Sequence, residues 1–597
     1  MRPGRRWLAA VIAAGALTVP ALAQAHVERS TYWPDPAPDT TISPAAGGEV
    51  PEARTLRSAL RREPPGNTQI VCQQGSMKLA KQSIREAKLV GIELRPSEPL
   101  EKITRKQARR LKRWNRRFKR GCDFHDIQDA VFAAGNNDRI VVMPGLYTEP
   151  ESRAKPENDP DCADLTADSD HGTGAVSYQY QATCPNDQNL IAIIGREPTG
   201  APEPPVDPDT DRHGIPPQLL GPCIRCNLQI EGSVPDPDVV VVDAGDPSSG
   251  NGGPANPAKD VALRADRADG LVVRNMTFRH SAEHGIYPIE VDGYLLDRVK
   301  MFHNEEYGHL SFTSDHGLLT NCEAAGSGDA GVYPGAAAQT GEQTVEPTQR
   351  YNQEISNCDL HHNVLGHSGS MGDAIHIVHN DVYDNAVGIS VDTISAAGHP
   401  GYPQDSLLVE DNEIYSNNFN PFESDSDVVP TVPAAVGTGM WIAGGNANVL
   451  RDNHVYDNWR RGFMLFAVPD AIACAPAEAQ QTCDETGIPE NKTSNRNRFH
   501  NNVMGVSPSG ESLPNGVDFW WDQFLGNREN CWFGNTGADG TAGGVTSDPP
   551  QPLLPSNCDA SIGTGNPIKE AELTACFAAF QGAPAEACPW FTTPPKP

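Results

Sequence analysis

Apolar positions in the second half of the chain recur inside a fixed polar frame, Asn-x-aliphatic-Tyr-x-Asn. It stands as NDVYDN from Asn380, NEIYSN from Asn412 and NHVYDN from Asn453, with a variant NRFHNN from Asn497. Weaker copies begin at Met276 (MTFRHS), Val299 (VKMFHN), Cys322 (CEAAGS) and Cys358 (CDLHHN). The starts at 276, 299 and 322 are 23 residues apart, and those at 358 and 380 are 22 apart. This period is too short for two packed helices with their loops and suits one turn of a three-stranded coil. The predicted fold class is an all-β solenoid, a right-handed parallel β-helix.

Coils stacked at about 4.8 Å turn each repeat position into a ladder. Two residues into the frame the ladder reads Phe278, Met301, Ala324, Leu360, Val382, Ile414, Val455 and Phe499, an inward apolar wall. Five residues in, it reads Asn304, Asn363, Asn385, Asn417, Asn458 and Asn502, where stacked side-chain amides hydrogen-bond one another and tolerate a left-handed turn. Seven residues before the frame stand Asp269, Asp292, Asp315, Asp373 and Asp405, continued by Asn446; these read as turn residues or as a calcium-binding edge. Cys322 and Cys358 share a phase, so adjacent coils can join them.

Upstream, Phe124 to Ala134 predicts a short amphipathic helix that closes the open strand edges. Residues 137–149 (NDRIVVMPGLYTE) then predict a first coil, and 189–195, 228–232 and 239–243 further early coils. The cap, the Pro144-Gly145-x-Tyr147 turn and the repeats resemble the parallel β-helix repeat family, the pectate-lyase-like superfamily, over roughly residues 122–530. The expected organisation is a signal peptide at 1–25, a basic, partly helical extension at 26–121, cap and early coils at 122–260, regular coils at 261–530 and a disulfide-tied tail at 531–597.

The export signal rests on Arg2, Arg5 and Arg6, an apolar run from Trp7 to Val19, and small-x-small cleavage sites before His26. A secreted or wall-associated protein is therefore expected. The fourteen cysteines fit an oxidising compartment. The most local scheme pairs Cys72 with Cys122, Cys162 with Cys184, Cys223 with Cys226, Cys322 with Cys358, Cys474 with Cys483, Cys531 with Cys558, and Cys576 with Cys588. Cys223-Ile-Arg-Cys226 is also compatible with half a zinc site or a redox pair, although no second CxxC accompanies it. The net charge of −30 hides a basic segment from Lys78 to Arg120. Its leucines are sparse for a buried helix, so it reads as a solvated helical extension: a linker or cap on the acidic body, or a tether to an anionic wall polymer or membrane surface. Nucleic acid does not suit an exported acidic chain, and a monomer is expected.

Departures from the repeat place candidate chemistry. Residues 336–349, 393–404 and 467–495 all follow the strand after a coil glycine (Gly331, Gly388, Gly462), so they emerge at one corner and wall a groove; residues 418–437 emerge at another turn. Tyr287, Tyr333 and Trp441 share one offset after the coil glycine and are sugar-stacking platforms if outward, core if inward. Glu283, Glu306 and Asp329 stack on successive coils, with His280 and His303 three residues earlier on the first two; they are the candidate catalytic set. Stacked carboxylates split into general acid and base, or hold Ca²⁺ at Glu306 and Asp329, or form an exposed turn with nothing bound. Arg460 and Arg461 are the candidate basic contacts to substrate. The resemblance implies a polysaccharide ligand that is bound and cleaved or epimerised by a lyase, hydrolase or uronate epimerase; the alternative is a non-catalytic surface or adhesion solenoid. The lyases' Arg-x-Pro-x-x-Arg, the hydrolases' Gly-His-Gly and the epimerases' Asp-Pro-His motifs are absent, Ser314-Asp315-His316-Gly317 being the nearest stretch to the last.

Overall fold

The computed structural model describes residues 29, 31–60, 65–152, 160–169, 172–204, 214–245, 258–338, 350–394, 400–401, 403–468, 494–580 and 588–597. The expected export signal and the Cys474–Cys483 pair lie outside them.

The body is a right-handed parallel β-helix. Each coil contributes one strand to each of three ladders, here A, B and C in the order the chain visits them. Ladder A runs through Thr68–Val71, Arg139–Val142, Gln229–Gly232, Asp315–Thr320, Gln353–Ser356 and on to Cys531–Phe533. Ladder B runs through Gly145–Tyr147, Val240–Asp243, Glu323–Ala325 and Asp359–His361 to Val503–Met504. The strands Leu271–Arg279 and Asp292–Phe302 pass unbroken round the corner between them, which joins A and B into one 20-stranded sheet. Ladder C is an 11-stranded sheet from Asn189–Ile194 to Ser547–Asp548.

The registers bear out the inward wall from Phe278 through Met301, Ala324, Leu360, Val382 and Ile414 to Val455. The next member is Met504 and not Phe499, which instead pairs with Leu450 and Trp532 on ladder A. The expected phase slips by one corner there because the frame carries Asn at both ends, so NRFHNN fits two corners equally well. One asparagine ladder therefore becomes three. Asn363, Asn385, Asn417, Asn458 and Asn515 form the first, each donating its side-chain amide to the next at 2.9–3.1 Å. Asn380, Asn412, Asn453, Asn502 and Asn535 form the second at 3.0 Å, so Asn502 belongs here. Asn448, Asn497 and Asn530 form the third. The left-handed residue at these turns is the one before the asparagine, as at His303, His362, Asp384, Ser416 and Asp457. The amides themselves satisfy buried carbonyls that the corners would otherwise strand.

In the aspartate column the Asp292 N–H donates to Asp269 and the Asp405 N–H to Asp373, and Tyr351 stands in phase on the coil between Asp315 and Asp373. Arg196 pairs with Asp269, His316 lies 2.6 Å from Asp292, and Arg350 grips Asp315 with two bonds of 2.6 and 2.7 Å. Six of the expected disulfides are present, including Cys322–Cys358 between adjacent coils. The lumen also holds polar groups: His309 and His367 stack in the inward column Ile286, His309, Val332, His367 and Ile389. Burial pushes both imidazoles down to a pKa of about 3.

The basic segment is helical as expected and lies on the body, but one face of it is buried where a solvated extension was expected. Strand Thr68–Val71, just ahead of it in the expected extension 26–121, already pairs with Arg139–Val142 as a coil of ladder A. Helices Ser76–Leu89 and Arg105–Arg120 pack on one another and on the body, burying Ala80, Ile84 and Ala87 from the first and Ala108, Leu111, Asn115 and Phe118 from the second. The stripe is narrow and uses alanine and asparagine as well as leucine, so a count of leucines misses it. Among the described residues, no helix is long and apolar enough to cross a membrane.

Candidate functional site

Ladder C has two faces. Its inner face joins the lumen core, while its outer side chains gather in a separate cluster that includes Tyr287, Tyr307, Leu310, Tyr333, Trp441, Met464 and Trp520. Tyr287, Tyr333 and Trp441 thus point out of the solenoid and are nevertheless buried, at 0, 2 and 2 % exposure. A second layer covers the downstream coils. Helix Pro567–Phe580 and the tail beyond Cys588 bring Leu573, Phe577 and Trp590 onto this face, with Trp590 5.6 Å from Trp441 between ring centres. Arg460 and Arg461 serve that layer: Arg460 donates to the carbonyls of Pro589 and Thr592, and Arg461 pairs with Glu572 at 2.8 Å and lies over the Trp520 ring. They pin the tail, and no part of their geometry in the described residues reaches toward the carboxylate stack.

Glu283, Glu306 and Asp329 stack as the phase requires, the N–H of each later residue donating to the carbonyl of the one before, at 3.1 and 3.0 Å. They stand at the turn that enters ladder C. The column one residue later, at the start of this strand, begins Val261, His284, Tyr307 and Ala330, each just before the inward coil glycine or its equivalent. This column supplies groups that the sequence reading missed. His284 is buried between two carboxylates, 3.8 Å from Glu283 and 4.0 Å from Glu306. Tyr307 donates its hydroxyl to Asp329 at 2.6 Å. The rings of His284, Tyr287 and Tyr307 are in contact, His284 lying 4.9 Å from Tyr287 and 5.4 Å from Tyr307, and Arg264 lies over Tyr287. The offset just before the glycine, read down the coils as the offset after it was, would have found His284 and Tyr307.

Exposure grades across the stack. The side chains of Glu283 and Glu306 are 29 and 15 % exposed, whereas Asp329 is 4 % exposed. Burial raises the Asp329 carboxyl to a pKa of about 8; the nearby charges of Glu306 and Asp392 push the same way and the Tyr307 hydrogen bond opposes. The Tyr307 phenol is pushed well up by burial and by Asp329. At neutral pH the pair is therefore a protonated acid bonded to a neutral phenol, beside an imidazole and more exposed carboxylates. Such a set can donate and accept protons.

His280 and His303 face elsewhere. They occupy the corner that leaves ladder B, His280 at 3.1 Å from Asp243 and His303 in the field of Asp427, His280 and His362. A side chain at Gly326, the intervening member of this left-handed column (φ +82°), would meet the His303 ring at 2.3 Å, so glycine there leaves room for the imidazole. His362 bonds Asp427 at 2.8 Å, and Asp384 and Asp427 raise its pKa. Segment 418–437 crosses this turn, Thr431 donating to the Gly328 carbonyl.

Among the described residues, three groups bring three potential ligand atoms within 4.8 Å of one another, and neither Glu306 nor Asp329 belongs to any. Two contain disulfide cysteines, and in the third, Asp292 with Asp315 and His316, Asp315 is already held by Arg350. A Ca²⁺ ion needs six or more oxygens, which the Glu306–Asp329 pair does not provide alone. A separate cavity of about 680 Å³ lies between residues 33–41 and Arg196, Asp269, Asp292 and Arg350.

No family model and no curated protein matches the chain. Solved structures do. The mannuronan C-5 epimerase A-module of Azotobacter vinelandii is 11 % identical over 68 % of this chain and 88 % of its own, with a TM-score of 0.36. An alginate lyase from a Paenibacillus species is 12 % identical over 66 and 94 %, with a TM-score of 0.30. A DFA-IIIase from Arthrobacter chlorophenolicus is 11 % identical over 71 and 83 %, with a TM-score of 0.35. These are similar to the chain as parallel β-helix structures, and the fold assignment rests on the strand registers themselves.

Proposed function

We propose that this is an exported polysaccharide-binding protein that carries out general acid–base chemistry on its glycan at the outer face of ladder C. The observation that carries the reading is the Tyr307–Asp329 bond of 2.6 Å beneath the more exposed Glu306, with His284 alongside. In this reading Glu306 takes a proton from the sugar ring and the Tyr307 hydroxyl turns to give one to it, while Asp329, protonated at neutral pH, returns its own proton to the phenolate oxygen so formed. Stacked coils repeat at about 4.8 Å, a spacing that suits a chain-like ligand. The solved structures similar to the chain include a mannuronan epimerase and an alginate lyase, acting as their names say.

A second reading, a solenoid that binds a glycan without turnover, is favoured by the near-complete burial of Tyr307 and Asp329. The experiment that separates the two is incubation of the purified protein with acidic and neutral polysaccharides, with and without Ca²⁺. It reads unsaturated products by ultraviolet absorbance, new reducing ends, and ring configuration by NMR. Turnover by wild type that falls by about 10²-fold or more in Glu306→Gln, in line with loss of an acid–base group, supports the catalytic reading. Binding without any product supports the second.

A further inference from the structure

The exposed face of helix Arg105–Arg120 plays no part in the site just described. Its sequence, RKQARRLKRWNRRFKR, contains no acidic residue. Thr104 and Gln107 close its first turn with a capping box, and Cys122, just beyond its end, is bonded to Cys72. Asn115 is locked to Ser233 at the end of a ladder A strand by two bonds, of 2.6 and 3.0 Å. The helix is therefore a fixed part of the body and not a loose tail.

Its buried stripe turns inward, and Arg109, Arg113, Arg116 and Arg120 form an exposed row at steps of three and four residues, flanked by Lys106, Arg110 and Arg117. Among the described residues, none of these seven makes an ion pair; Arg110 rests on the ring of Trp114. Sixteen residues at 1.5 Å per residue give a track of about 24 Å, with neighbouring charges about 5–6 Å apart along it. This row of cations stands on a protein of net charge −30 and, among the described residues, has no carboxylate of the body paired with it.

We propose that this face is a binding surface for a linear polyuronate, separate from the acid–base cluster. The track is straight and its charges recur at about the spacing of carboxylates along an extended acidic glycan. The apolar stripe is packed into the body, so the helix has no edge to insert into lipid, which favours a polymer over a membrane. Its anchors, Ser233 and, from the neighbouring segment, Arg95 and Ser97 on Asp359, belong to the side formed by ladders A and B. A glycan held there leaves ladder C free. Elsewhere the acidic surface repels such a chain, so attachment is confined to one place. The choice of a glycan rests on the reading above, but the test reads binding, so the two fail separately.

The test uses the full chain and its Arg109→Gln, Arg113→Gln, Arg116→Gln, Arg120→Gln variant, with melting curves as the control for folding. A second variant replaces the same four residues by lysine, which keeps the charge. The probes are polygalacturonate, uncharged dextran and phosphatidylglycerol vesicles. Wild type and the lysine variant should bind polygalacturonate at low salt and release it as salt rises, and the glutamine variant should bind at least about tenfold more weakly. Equal binding by the glutamine variant, or binding of wild type to vesicles but not to polygalacturonate, overturns the proposal.

Discussion

Replacing Asp329 by Asn removes a buried acid while leaving an oxygen to accept the Tyr307 hydroxyl. The folded carboxyl titrates at about 8 and the unfolded one near its ordinary 3.8. Because the folded value is the higher, the contribution of this group to stability is fully present below the unfolded value and is lost as pH rises toward 8. Each pH unit in that window costs about 1.4 kcal/mol, so between pH 4 and pH 7 wild type gives up about 4 kcal/mol at this residue alone. Asn does not titrate and gives up none of it. The assay is urea unfolding of both proteins at pH 4, 5, 6 and 7. All other titrating groups are common to the two, so the difference curve isolates position 329. It should move toward the variant by about 4 kcal/mol across the series, and a difference independent of pH would refute the buried, proton-holding acid on which the site is built.

Other outcomes follow from the packing. Asn417→Ala interrupts the first amide ladder, stranding the partners Asn385, Asn458 and the Val382 carbonyl, and should cost about 3 kcal/mol in denaturant unfolding, since each orphaned buried group costs about 1–3 kcal/mol. His309, with a folded pKa near 3 against 6.5 unfolded, stabilises fully above 6.5 and loses its contribution as pH falls; from pH 6.5 to 5 His309→Leu should lose about 2 kcal/mol less than wild type does. Trp590→Ala empties the space over Trp441 and Phe577 and should cost about 3–5 kcal/mol, seen as faster limited proteolysis of the tail with the solenoid intact.

The solenoid was legible because its period is written in every coil: the inward column from Phe278 to Val455 and the shared phase of Cys322 and Cys358 needed only alignment at 22 to 23 residues. The slip at Phe499 arose where a long insertion removed the spacing and the two-ended asparagine frame offered two corners. At the site, the carboxylate stack was legible for the same reason as the core, being periodic. The roles of His280 and His303 were not, because a tight turn separates residues only three apart, sending the histidines to the ladder B corner and Glu283 and Glu306 to ladder C. The covering of Tyr287, Tyr333 and Trp441 was illegible in principle. Alternation tells which way a side chain points, but the layer over Trp441 comes from residues more than a hundred positions away, such as Trp590, and no local pattern names it.

The most direct test of acid–base chemistry at ladder C is the turnover rate of Tyr307→Phe on the acidic polysaccharide that wild type processes best, with polygalacturonate binding measured alongside. The hydroxyl holds Asp329 by a hydrogen bond of 2.6 Å beside Glu306 and His284. Its loss should lower turnover by about 10²-fold or more with binding unchanged. Turnover within a factor of about two of wild type would contradict the account.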